Sequence, residues 1–284
     1  MKYINTNMSL FDTCDFNKFF SDTDKGGGFT NGEGKLILPA ETTKLYVSME
    51  LYTTTNTLSS CDCYPLQIYF SDGEYNTIKP STVHLYVKAS NRSVELHTNN
   101  TKRMSTPYTL GIWHKVYLAI DTVAGTIDFY IDGDKVGTYD GYVKTGVKAI
   151  NSKLKLGYYD GNYYTKARNI IIADQYFPLN ETVIKVPANI TNNGFSYDSS
   201  SGSYNTETEN STLQVQPDLS VLNCYKVTGC NVGMGTTVLG DTIKKIKCDM
   251  GTYSNTKEIP TTGKGMYFDG LPTNISNITI TAKK

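Results

Sequence analysis

The sequence predicts an all-β fold, a sandwich of antiparallel sheets followed by a second, smaller β-domain. Apolar residues recur with period two over short runs, and no stretch longer than a turn or two carries helical periodicity. Gly, Asn, Asp and Pro clusters separate the runs. Tyrosine is abundant, at 22 residues, and Thr, Ser and Asn are frequent throughout, a composition suited to half-buried strands. At 284 residues the chain is long enough to bury a sizeable core and to form two domains.

The strand-like runs follow in order. "GFTNGEGKLILPA" (28–40) leads into "TKLYVSMELYT" (43–53), where Leu45, Val47, Met49 and Leu51 alternate with Tyr46, Ser48, Glu50 and Tyr52. Then come "PLQIYFSDG" (65–73), "STVHLYVKA" (81–89) and "RSVELHT" (92–98). The run 113–139, "WHKVYLAIDTVAGTIDFYIDGDKVGTY", reads as a hairpin with a further turn on Asp-Gly. "SKLKLGYY" (152–159) and "ARNIIIADQYF" (167–177) complete the first region. Spacing of this kind describes a sandwich of antiparallel sheets.

The hairpin fixes its own register. Val116, Leu118 and Ile120 alternate with polar or aromatic neighbours, as do Ile127, Phe129 and Ile131. Setting Asp121 opposite Thr126 pairs Leu118 with Phe129 and Val116 with Ile131, and it places Tyr117 opposite Tyr130 on the other face. A slip of one residue would mix the faces. Trp113, the single tryptophan, stands at the hairpin's entry and is expected to plug a corner of the core.

From about Pro178 the texture changes. "SYDSSSGSYNTETENST" (196–212) is polar and nearly free of apolar residues, and is expected to form a flexible loop or arm. After it, "STLQVQPDL", "LNCYKVTGC", "TIKKIKCDMG", "GKGMYFDGL" and "ISNITITAKK" are short β runs again. The expected division is residues 1–187 and 188–284.

Charge and termini exclude several classes. With 27 basic and 27 acidic residues the formal net charge is zero, so no long-range field for nucleic acid or anionic lipid exists. No segment has the length and apolarity of a membrane span, and the N-terminal stretch lacks the apolar core of a signal peptide. Synthesis in a cytoplasm is the expectation. Cys14, Cys61, Cys63, Cys224, Cys230 and Cys248 show no paired CxxC spacing and read as free, structural thiols. In an extracellular setting, Cys224 with Cys230 or Cys248 would be the disulfide to expect. The eight Asn-x-Ser/Thr triplets match what so Asn- and Thr-rich a chain yields by chance.

Trp113 followed by "KVYLAID", a Gly-containing turn and "IDFYIDG" resembles the central hairpin of the concanavalin A-like lectin and glucanase superfamily in its laminin G-like form. "NIIIADQYF" is similar to the strand that closes that jelly roll. The resemblance covers roughly residues 10–180 and implies an antiparallel jelly-roll sandwich, with a β-sandwich-like second domain after it. The superfamily includes lectins, glycanases, adhesion modules and virion proteins. A two-domain chain of this kind is also similar to tail-associated or structural proteins of bacterial viruses, which leave the cell by lysis.

The resemblance implies a concave sheet that accommodates a glycan. Outward tyrosines would then meet the apolar faces of sugar rings, and polar neighbours would bond the hydroxyls. Tyr69, Tyr86, Tyr117 and Tyr130, with His84 and Asp128, are the candidate ligand-binding residues; Tyr46, Tyr52, Gln67 and Glu50 share the pattern. Burying about 100 Å² of apolar surface contributes at most ~2.5 kcal/mol, so adhesion would need many copies. Strand preference, or packing against a second domain or a neighbouring subunit in a homo-oligomer, is the competing account of the same tyrosines.

The β-glucanase motif Glu-x-Asp-x-x-Glu is absent, as are Gly-x-Ser-x-Gly and His-Glu-x-x-His. No catalytic residues are therefore assigned and no enzymatic activity is expected. His84, His97 and His114 read as ordinary strand surface. No cofactor is expected apart from calcium, for which Asp72, Glu74, Asp160 and Asn162 in the loops "SDGEYN" and "YYDGNYY" are candidate ligands without EF-hand spacing. The expected function is non-enzymatic carbohydrate binding or adhesion on a virion or other extracellular surface. Its partners would be glycans or host cell-surface polysaccharide and other virion or assembly proteins, with no nucleic acid and no membrane insertion. A glycanase of the same fold and a purely structural decoration protein are the alternatives.

Overall fold

The computed structural model describes residues 2–5, 34–37, 42–53, 62–70, 81–88, 91–141, 153–156, 158–159, 165–184, 186–200, 203–234, 242–259 and 266–284. The chain divides into two compact units, Met1–Val183 and Ile184–Lys284.

Among the described residues the first unit carries β1 (Lys2–Asn5), β2 (Gly34–Ile37), β3 (Lys44–Thr53), β4 (Asp62–Phe70), β5 (Ser81–Lys88), β6 (Ser93–Thr98) and β7 (Thr101–Pro107). It continues with β8 (Trp113–Asp121), β9 (Thr126–Ile131), β10 (Asp134–Asp140), β11 (Lys153–Leu156), β12 (Tyr158–Tyr159) and β13 (Thr165–Ala173). A six-stranded sheet has the order β1-β13-β3-β8-β9-β10, and a seven-stranded sheet the order β2-β11-β4-β5-β6-β7 with β12 beside β4. Every pairing is antiparallel. The chain passes repeatedly from one sheet to the other, so distant segments become neighbours. This is an antiparallel jelly-roll sandwich.

Period-two burial joins the sheets. Leu45, Val47, Met49 and Leu51 of β3 and Val116, Leu118 and Ile120 of β8 meet Leu66, Ile68, Val83, Leu85, Val87, Val94 and Leu96 of the other sheet in one core. Phe129 lies at its centre, fully buried. The β8–β9 register sets Val116 against Ile131, Leu118 against Phe129, Tyr117 against Tyr130 and Asp121 against Thr126, as the alternation predicts.

Turn chemistry reinforces this register. Asp121 Oδ1 accepts the amides of Val123 and Ala124 at 3.0 and 2.8 Å. Asp132 and Gly133 both adopt positive φ, 52° and 92°, the pair of left-handed residues that a two-residue type I′ turn requires. The Asp132 carboxylate then accepts from the Lys115 amide at 2.8 Å and pairs with His114 Nδ1 at 2.6 Å. His114 is thus a buried brace of the hairpin's end, its Nε2 3.0 Å from the Thr109 carbonyl, and not strand surface.

Trp113 is not a core plug. Its position in the alternation turns it to the outer face of the six-stranded sheet, where the Arg168 guanidinium lies 3.9 Å over its ring and Tyr52 is 5.4 Å away. Tyr108 fills the core corner instead, its ring tilted against that of His114 with centroids 4.7 Å apart.

The chain itself covers the outer face of the six-stranded sheet. After β13, residues 174–183 run back over it, and Phe177 joins Tyr117, Ile171 and Ala173 in a second apolar cluster flanked by Tyr46, Tyr130, Leu179 and Val183. Tyr117 Oη donates to the Phe177 carbonyl at 2.9 Å, Tyr176 meets Tyr46 edge-on at 5.9 Å, and Lys115 Nζ donates to the Glu181 carbonyl. Burial drives the Tyr117 phenol far above the ordinary tyrosine range, and it lowers the Lys115 ammonium against the pull of Glu50 and Glu181.

The second unit carries β14 (Ala188–Asn193), β15 (Ser196–Asp198), β16 (Ser203–Asn205), β17 (Thr212–Pro217), β18 (Cys230–Met234), β19 (Lys245–Met250), β20 (Tyr253–Glu258), β21 (Met266–Leu271) and β22 (Ile278–Lys283). Five of these form a sheet of order β14-β17-β22-β19-β20; β15 with β16 and β18 with β21 are two-stranded ribbons. The stretch expected to be a flexible arm at 196–212 therefore contains a ribbon, tied by Tyr197 against Tyr204 at 4.9 Å and by Asp198 Oδ1 accepting the Ser200 amide and hydroxyl. Its low apolar content hid backbone pairing that side-chain periodicity does not report. The core is small: Ile246, Cys248, Met250, Phe268, Leu271, Ile278 and Ile280. Cys224, Cys230 and Cys248 are free thiols, and burial pushes the Cys248 thiol up to about 11.

Four outcomes test this architecture. Limited digestion with proteinase K should leave residues 174–183 attached to a folded first unit; preferred cutting within 174–183 would contradict the docking. Tyr117→Phe should destabilise that unit by about 1 kcal/mol through the lost hydrogen bond. Tyr117→Ala should cost about 3 kcal/mol by denaturant titration, whereas an exposed tyrosine would move the midpoint little. Alkylation at pH 8 followed by peptide mapping should, within the second unit, modify exposed Cys224 first and Cys248 only once denaturant opens the unit.

Candidate functional site

The predicted aromatic platform does not assemble. Tyr117, Tyr130 and Asp128 belong to the six-stranded sheet, whereas Tyr69, His84 and Tyr86 belong to the seven-stranded one. Tyr117, Tyr130 and Asp128 on the one sheet and His84 and Tyr86 on the other face opposite sides of the sandwich, because both sheets turn their apolar residues inward. The expectation that Tyr117 and Tyr130 floor a groove flanked by Tyr69 and Tyr86 is corrected accordingly. Tyr117 is only 3 % exposed, and its hydroxyl is committed to Phe177. The alternation correctly turns it away from the core, but says nothing of the segment that returns over it.

Asp128 is held within its own ladder. Burial acts to raise its pKa, but hydrogen bonds from Lys135 Nζ at 2.8 Å and Thr138 Oγ1 at 2.5 Å outweigh it and keep the carboxyl below its ordinary value. A carboxylate so engaged is a cross-strand brace. Tyr69 lies in β4 opposite Thr82, and its side chain falls outside the described residues. So do the calcium candidates Asp72, Glu74, Asp160 and Asn162. Among the described residues no three His, Cys, Asp or Glu side chains gather as a metal site.

The outer face of the seven-stranded sheet collects a different set. Pairing of β4, β5, β6 and β7 lines up Gln67, His84, His97 and Lys102 in one cross-strand row. The adjacent row places Tyr86 opposite Glu95 and Glu95 opposite Ser105. Val83, Leu85, Val94 and Leu96 enter the core, so His84, Tyr86, Glu95 and His97 point away from it. They are nevertheless enclosed: Glu95 is 2 % exposed, His84 7 % and Tyr86 8 %.

A carboxylate removed from water needs partners. Glu95 Oε2 lies 2.7 Å from His97 Nε2, and Oε1 lies 3.6 Å from Lys102 Nζ. His97 also meets the Tyr86 ring edge-on at 5.2 Å, and Lys88 Nζ sits 5.5 Å from the same ring. The carboxylate fixes the orientation of the imidazole. With His84 directly across the ladder, the arrangement provides two imidazoles, one enclosed carboxylate, a phenol and two ammonium groups, a set suited to moving a proton and holding an anion.

Sequence reasoning placed His84 and Tyr86 among its candidates and missed Glu95, His97 and Lys102. The available signal was "VELHT", whose Glu and His, two residues apart, must share the strand face that Val94 and Leu96 leave. His84 and His97, both read as ordinary strand surface, face each other because β5 and β6 form one hairpin.

No family model and no curated protein sequence matches the chain. Solved structures similar to it include the alginate lyase A1-II′, at 14 % identity and TM-score 0.44, covering 55 % of this chain and 82 % of that one. A pentraxin from Limulus polyphemus is similar at 15 % identity and TM-score 0.39, covering 57 % of this chain and 76 % of that one. A Trypanosoma rangeli sialidase is similar at 12 % identity and TM-score 0.44 over 57 % of this chain, which spans only 27 % of the sialidase. These likenesses concern fold. The expectation of a chain without enzymatic activity is corrected: alginate lyases and sialidases are among the similar structures.

Proposed function

We propose that the first unit is a carbohydrate-active module that binds an anionic polysaccharide on the outer face of its seven-stranded sheet and cleaves it by proton transfer through His97. The observation that carries this reading is the Glu95–His97 pair, a carboxylate enclosed on the face away from the core and 2.7 Å from an imidazole. Lys88 and Lys102 supply positive charge for acidic sugars. His84 and Tyr86 border the pair on the same face, enclosed beside it. One carboxylate among imidazoles does not match the paired carboxyl groups of glycoside hydrolysis. It suits abstraction by His97 of the proton beside a uronate carboxyl, formation of a C=C bond as the C–O bond to the neighbouring sugar breaks, and return of the proton to the leaving oxygen. Display in many copies on a virion or comparable surface is the setting that fits weak individual contacts.

Incubation with uronate polysaccharides and with neutral β-glucans distinguishes the chemistries. Elimination yields an unsaturated, ultraviolet-absorbing chain end, and hydrolysis yields reducing ends alone. Activity should be confined to the acidic substrates and fall about 10²- to 10⁴-fold in His97→Asn, with oligosaccharide binding retained. Glu95→Gln, which weakens the contact that orients the His97 ring, should lower the rate with oligosaccharide binding retained. Full activity in His97→Asn, or neither binding nor turnover of any acidic polysaccharide by the folded protein, would overturn the proposal.

A further inference from the structure

The edges of the three larger sheets are guarded unequally. β1 (KYIN), β2 (GKLI), β7 (TKRMSTP), β10 (DKVGTYD) and β20 (YSNTKE) each carry a lysine or arginine. β7 and β10 are also bulged, and β7 ends in proline. Such features discourage a foreign strand from adding to an edge. β14 (ANITNN) has no charge, no proline and no bulge against β17, and all six of its residues are exposed. Among the described residues no strand pairs with its outer edge.

The ladder shows which backbone groups that edge presents. The Asp218 amide donates to the Pro187 carbonyl at 2.7 Å, and Ala188 lies opposite Pro217, which has no amide proton. Bonded pairs with β17 therefore fall at Asn189, Thr191 and Asn193, and Ala188, Ile190 and Asn192 turn their N–H and C=O groups outward.

We propose that β14 pairs antiparallel with β14 of a second copy of this chain, about a two-fold axis through Ile190. Ile190 then meets Ile190 of the second copy, and Ala188 meets Asn192 of that copy, each bonded pair exchanging two N–H···O bonds. A strand paired with itself sets any charge near its own like, so an uncharged strand is what this symmetry requires. Ile190, 40 % exposed, lies opposite Val215, which in turn faces Ile278, on the face that borders the unit's core. Pairing would extend that apolar face across the axis. A single strand pair buries less than the roughly 1,200 Å² of stable complexes, so association should be weak and concentration-dependent.

Sedimentation velocity on the full chain should show a reversible monomer–dimer equilibrium in the micromolar range. Ile190→Lys and Asn192→Lys should each give a monomer with an unchanged melting profile. Ile190→Cys should form a reductant-sensitive dimer well above any seen in the parent chain, a result that decides the matter if a lysine variant misfolds. A parent chain that stays monomeric without such a crosslink, or a folded Ile190→Lys protein that dimerises like the parent, would overturn the proposal.

Discussion

Everything in the first unit follows from two sheets burying one face each against the other. Once Leu118, Phe129, Leu85 and Leu96 face inward, the neighbours of each must face outward, and the hairpin register leaves them no freedom. The outer faces are where the sheets diverge. One is sealed by apolar contacts from the chain's own continuation, and the other collects titratable groups in cross-strand rows. The division between a stabilising side and a chemically equipped side is thus settled by where residues 174–183 go, not by either sheet alone.

Much of this is written in the sequence as alternation. The β8–β9 pairing, the Asp-Gly turn and the all-β class are local, and local rules reach them. The fate of an outward side chain is not local. Tyr117 and Tyr86 look alike in their strands, yet one is locked to a backbone carbonyl from residue 177 and the other borders an imidazole across a hairpin. Trp113 was misplaced for a related reason: the core corner needed an aromatic, and Tyr108, standing outside the alternating run, occupies it. The Glu95–His97 pair could have been seen, since period two puts both on one face. Its enclosure could not.

The second unit shows the complementary case. Its core holds few large side chains, and its longest polar stretch still forms strands because backbone pairing and short Asx turns need no apolar partner. A sheet assembled with so little side-chain burial leaves strand edges as prominent as strand faces. The contrast between charged β20 and neutral β14 at its two ends becomes informative only when both are recognised as edges, which requires the strand order.

The segment over the six-stranded sheet also bears on how the protein can be dissected. A fragment ending at Ala173, after the last strand, would keep every rung of both ladders and yet bare Tyr46, Tyr117, Tyr130 and Ile171 to water. A patch of that kind invites self-association. The smallest autonomous piece therefore extends to Val183, and domain shuffling, whether by recombination or in the laboratory, would have to carry those ten unstranded residues along as though they were part of the sheet.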